Sequence, residues 1–171
     1  MIYAARYIIA HPFQENSLAK IVSINAAPNF GRLDVLVVEN DPDQLSLFTE
    51  ILAAAGFAVH GAAAPDEALA ILRSAHVDLL VTDVRLDHDM NGFELANEAQ
   101  SLQPSLQALF ITGLPDDLAR RQRGAPPNAS ILLKVFSLSD FVNAVSDALG
   151  NSLHLHAISD LKAHAARARS L

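Results

Sequence analysis

Val77-Asp78-Leu79-Leu80-Val81-Thr82-Asp83 is an apolar run closed by a carboxylate. Three other runs share its form. Leu33-Asp34-Val35-Leu36-Val37-Val38 leads into Glu39-Asn40-Asp41, Leu106–Ile111 leads into Thr112-Gly113, and Ile131-Leu132-Leu133 leads into Lys134. Short apolar runs separated by helix-like segments predict parallel strands covered on both faces. In an open α/β sheet, ligands bind beyond the carboxyl ends of such strands. A carboxylate, an acidic and amide cluster, a hydroxyl and an ammonium are therefore expected on one edge. That set suits a divalent metal and a phosphoryl group on Asp83.

Outward from these runs, residues 33–150 alternate strand and helix five times. Strands are expected near 33–38, 57–60, 77–82, 106–111 and 129–133. Helices are expected near 42–55, 65–75, 92–102, 115–122 and 138–149. Asp41 and Pro42 suit the N-cap and first turn of the first helix, and Gly56 suits its end. Leu45, Phe48, Ile51, Leu52 and Ala55 give it an apolar stripe. Ser139 or Ser137 is placed to cap the last helix. Five βα units predict a doubly wound five-stranded parallel sheet with right-handed crossovers, where a barrel would need eight units.

The flanks differ in character. Residues 1–32 lack clear periodicity and are punctuated by Pro12, Asn25, Pro28, Asn29 and Gly31. They are expected to form a poorly ordered or loosely docked arm; an early start-codon assignment is the plain alternative. Residues 151–171 are expected to form a short helix or tail, too small for a DNA-binding output domain.

With 51% hydrophobic residues in 171, the chain can build a core. It has no cysteine, which excludes disulfides and thiolate metal sites. No apolar stretch approaches the ~20 residues that span a bilayer. Residues 1–14 include Arg6 and lack the apolar core of a secretory signal, so a cytoplasmic location is expected. Residues 33–150 carry 17 acidic and 6 basic residues, a net of −11, while the flanks net +4. An acidic centre opposes direct nucleic-acid binding and fits a site that collects a cation.

On these motifs, residues 33–150 resemble the receiver domain of two-component response regulators. Val35 to Pro42 resembles that family's first strand and acidic cluster. Asp83-Val84-Arg85-Leu86, followed by Asn91-Gly92-Phe93-Glu94-Leu95, resembles its phosphoacceptor segment. Phe110-Ile111-Thr112-Gly113 resembles the switch hydroxyl segment, and Lys134-Val135-Phe136-Ser137 the lysine segment. The resemblance implies a chemotaxis-regulator-like (βα)5 flavodoxin-like fold with strand order 2-1-3-4-5. It implies phosphorylation of Asp83 by a histidine kinase or histidine phosphotransfer protein. Mg2+ would be held by Glu39, Asn40, Asp83 and the Arg85 carbonyl. Thr112 and Lys134 would meet the phosphoryl oxygens, and Gly113 would allow close backbone approach. A stand-alone receiver, not an enzyme in the ordinary sense, is expected to be read out by a partner protein. No membrane partner is implied, and a homodimer is compatible with the reading.

Departures from the family pattern are specific. Asn40 stands where an acidic residue is usual. Asp87-His88-Asp89 replaces the expected proline-containing turn, in a segment one residue longer than the common version. Val135 follows Lys134 where proline, often cis, is usual; the cis geometry is nonetheless expected here. Ile131 occupies the place of an aromatic switch residue. Asn40 and Val135 motivate a rival reading, a receiver-like interaction module that works without phosphorylation. A phosphatase of the haloacid dehalogenase type would need a second Asp two residues after Asp83, where Arg85 stands.

Overall fold

The structure, a computed structural model, describes residues 7–8, 33–86, 89–113, 124–127 and 129–150. Its strands are β1 (Tyr7–Ile8), β2 (Asp34–Val38), β3 (Ala58–Ala62), β4 (Leu79–Asp83), β5 (Gln107–Thr112) and β6 (Ser130–Leu133). Its helices are α1 (Pro42–Ala54), α2 (Pro65–Ser74), α3 (Gly92–Leu102) and α4 (residues 138–150). The expected helix near 115–122 lies outside the described residues.

The strands form one parallel sheet in the order β1-β6-β5-β4-β2-β3. Without β1 this is the 2-1-3-4-5 order of a doubly wound fold. The sixth strand is a difference from expectation. Tyr7 and Ile8, inside the arm expected to be poorly ordered, pair in register with Ile131 and Leu132. The remainder of that arm and residues 151–171 lie outside the described residues.

Alternation along each strand separates two cores. Val35, Val37, Leu79, Val81, Leu109, Ile111 and Leu132 face α1 and α4. Leu36, Val38, Leu80, Phe110 and Ile131 face α2 and α3. Both faces are therefore dry, which is why the strands are continuous apolar runs. Each large side chain so buried contributes roughly 1.5–3 kcal/mol. Phe48 of α1 packs on Phe141 of α4 with ring centroids 4.7 Å apart, closing the first layer.

Local chemistry sets the helix ends. The Asp41 side chain accepts from the Asp43 and Gln44 N–H groups and Pro42 opens α1. Gly56, at φ 98°, takes the left-handed turn after it. Asn91 and Glu94 form a reciprocal capping box on α3. Ser137, rather than Ser139, caps α4: its hydroxyl accepts from Asp140 N–H, and Asp140 Oδ2 accepts from Ser137 N–H. Ala64 gives α2 no side-chain cap, and Glu67 instead reaches back to accept from Ala63 N–H at 2.8 Å. The Lys134–Val135 peptide is cis, as expected. Among the described residues no helix is long and apolar enough to cross a membrane.

Candidate functional site

The sheet order changes direction between β2 and β4, and both strands end there in acidic groups. Glu39 follows β2, and Asp83 is the last residue of β4. Thr112 ends β5 and is buried. Lys134 follows β6, and its N–H donates to the Thr112 carbonyl at 2.8 Å. The four polar strand ends thus gather at one sheet edge, at the crevice where open α/β sheets take ligands.

Lys134 is the centre of the charge arrangement. Its Nζ donates to Asp83 Oδ2 at 2.9 Å and to Gln44 Oε1 at 3.1 Å. Glu39 Oε2 lies 3.9 Å away, an ion pair without a hydrogen bond. Asp83 Oδ1 accepts from the Arg85 N–H at 2.9 Å, so both carboxylate oxygens are oriented. Below the site, the Phe136 ring packs against Phe48 and Phe141 and anchors the turn after Lys134. Val135 itself is 95% exposed.

Glu39 is buried. Its Oε1 accepts from the Asp41 N–H at 3.1 Å, while its Oε2 has no hydrogen-bond partner. Burial raises its carboxyl above the ordinary glutamate value; the Asp41 N–H and Lys134 oppose the rise, and Asp83 and Asp41 add to it. Asp41 behaves differently. The Gln44 N–H leads the interactions that hold its carboxyl below the ordinary aspartate value, with the Gln44 side chain, the Asp43 N–H and Lys134 helping. Asp41 is therefore a helix cap.

The chemistry of the donors fits a hard oxygen-seeking cation. A buried carboxylate oxygen without a hydrogen-bond partner, Glu39 Oε2, lies beside a second carboxylate, Asp83. Among the described residues no three His, Cys, Asp or Glu side chains gather as a metal cluster. A protein set of two carboxylates supplemented by Asn40 and a backbone carbonyl suits magnesium, which keeps several of its waters.

Of the expected site residues, Glu39, Asp83 and Lys134 meet directly, and Thr112 joins them through the Lys134 backbone. Arg85 is tied to Asp83 through its N–H, with its residue surface exposed. Asn40 lies between Glu39 and Asp41 and is partly exposed. Gly113 is less constrained than expected. A Cβ there would sit 3.9 Å from Lys134 Cβ, an ordinary contact. Gln44 is the site residue that sequence reasoning missed. Its only signal is its place in the first turn of α1, three residues after the cap.

Known proteins share this sequence pattern and fold. The family model for the response regulator receiver domain matches residues 35–146. The chain belongs to this receiver family. The receiver is 33% identical over 119 residues to the response regulator receiver protein CpdR of Brucella abortus, covering 67% of this chain and 95% of that protein. It is also 33% identical over 121 residues to the transcriptional regulatory protein GlrR of Escherichia coli, covering 69% of this chain. There it spans only 26% of the relative's length. The crystal structure of a CheY-like receiver domain protein from Methanospirillum hungatei superposes with a TM-score of 0.62 at 26% identity. That match covers 71% of this chain and 96% of the other.

Proposed function

We propose that this receiver accepts a phosphoryl group on Asp83 from a histidine kinase or histidine phosphotransfer protein and is read out by a partner protein. The observation that carries this reading is the Asp83 carboxylate, held between the Lys134 ammonium and the backbone of Arg85 at the sheet's switch point. An Asp83 oxygen attacks phosphorus as the P–N bond of the donor phosphohistidine breaks. The imidazole leaves with the bond's electron pair and takes up a proton. Lys134 meets the negative oxygens of the incoming group, and Thr112 donates a hydrogen bond to them. Glu39, Asn40, Asp83 and the Arg85 carbonyl would hold Mg2+, which neutralises phosphoryl charge when bound. An aspartyl phosphate then shifts the balance between two arrangements of the Thr112 and Lys134 segments, which a partner surface reads.

Acetyl phosphate and magnesium, followed by intact-mass measurement, test the reading. Wild type should gain one phosphoryl group and Asp83→Asn none. Equal labelling of both proteins sinks the assignment to Asp83. Absence of labelling in wild type, with kinase donors failing as well, favours the interaction module that Asn40 motivates.

A further inference from the structure

Gln44 lies in the first turn of α1, outside the set of strand-end residues. Its backbone is fixed, because its N–H donates to Asp41 Oδ1 at 3.0 Å. Its side-chain amide reaches the ammonium of the site. Oε1 accepts from Lys134 Nζ at 3.1 Å. An amide oxygen is a neutral acceptor, so it satisfies the ammonium without adding a charge.

We infer that Gln44 is a positioning residue for Lys134, an inference that rests on the phosphoacceptor reading above. The lysine stem is long and flexible, and its side chain is 29% exposed, so it has open solvent to swing into. Asp83 holds the ammonium from β4, and Gln44 holds it from α1. When Asp83 becomes an aspartyl phosphate, its charge moves onto the phosphoryl oxygens. Gln44 is neutral and keeps its place through that change. It holds the amine near the site without competing with the phosphoryl group as a carboxylate would. A half-exposed helix residue with an incidental contact would have no such effect.

The test is a double-mutant cycle on phosphorylation by acetyl phosphate with magnesium. Gln44→Leu preserves bulk and removes the acceptor. It should slow phosphorylation about tenfold, as modest misplacement of a catalytic group does. In a Lys134→Ala background the same change should have no further effect. A second readout needs neither metal nor phosphate. The Lys134 ammonium resonance of the unmodified protein should shift and exchange faster with water in Gln44→Leu, while the thermal melt still reports a folded chain. Wild-type rates in Gln44→Leu, equal slowing in both backgrounds, or an unchanged ammonium resonance each overturn the proposal. Labelling that persists in Asp83→Asn overturns the reading beneath it instead.

Discussion

Lys134 Nζ donates to Asp83 Oδ2 at 2.9 Å, although the two residues close strands that are separated by β5. The contact exists because parallel strands of matched register bring their carboxyl ends to one edge. It also places one cation beside two carboxylates, since Glu39 Oε2 lies 3.9 Å from the same ammonium. The site is consequently electron-rich and only partly neutralised, a state that favours a further cation.

Asn40 is the place where this sequence has less negative charge than its family. Asn40→Asp adds a unit charge beside Glu39, and an opposite charge at contact distance is worth about 1–4 kcal/mol at intermediate to high dielectric. Magnesium affinity should rise by about tenfold or more, as isothermal calorimetry would show. The metal-free variant should be less stable in urea than wild type, because a third carboxylate joins Glu39 and Asp41. Unchanged or weaker affinity would mean that Asn40 does not face the metal.

Glu39 makes the effect of magnesium depend on pH. Burial lifts its folded value above the 4.5 of an unperturbed glutamate. The folded protein then binds this proton more tightly than the unfolded chain. Stability from this group is fully present below the unfolded value and is lost as pH rises through the folded one. Magnesium held by the proposed ligands would bind the ionised form and offset that loss. The rise in Tm on adding magnesium should therefore be larger at pH 7 than at pH 4.5. Thermal melts with and without the metal at both pH values check this, and an equal gain at both would remove Glu39 from the metal site.

Gly92 controls how closely α3 approaches the end of β4. A Cβ at this position would overlap the Asp83 carbonyl oxygen and fall 3.2 Å from Thr82 Cγ2. Backbone cannot give way cheaply to such an overlap. Gly92→Ala should cost about 1–3 kcal/mol in urea unfolding, the range for overpacking, and should also slow phosphorylation by displacing Asp83. Gly150, at the end of α4, is a control: nothing lies within 4 Å of a Cβ there. Gly150→Ala should be neutral or stabilising by up to about 1 kcal/mol. Equal stability of Gly92→Ala and wild type would show that the approach is looser than the structure has it.

Legibility in the sequence followed the range of the interactions. Asp83, Glu39, Thr112 and Lys134 stand out because each closes an apolar run, and the sheet then brings run ends together. Asp41 and Pro42 mark a helix start because capping is local chemistry. Between Ser137 and Ser139, sequence could not choose, since the answer depends on which backbone reaches Asp140. Gly92 carries no signal of its tight packing, because the approach depends on how the preceding loop folds. Gln44 is silent for a related reason. A glutamine in a first helical turn is ordinary until a lysine ninety residues later is folded against it. The pairing of Tyr7–Ile8 rests on two residues and a distant strand, too little for any periodicity to register.

That pairing gives the last prediction. β6 has β5 on one side, and on the other only Tyr7–Ile8 among the described residues. Parallel pairing uses backbone N–H and C=O groups on both sides of a strand, so part of the β6 hydrogen bonding belongs to the arm. Removing residues 1–32 leaves those groups to water, while the β5 side and both apolar layers stay in place. Amide hydrogen exchange across residues 130–133 should therefore speed up in the shortened protein, with exchange in β2 and β4 nearly unchanged. Thermal stability should fall only slightly, because the central sheet and both helix layers are retained. Unaltered exchange at 130–133 would show that the arm does not pair with β6 in solution. Faster exchange throughout the sheet would instead mean that the arm supports the whole fold rather than one edge.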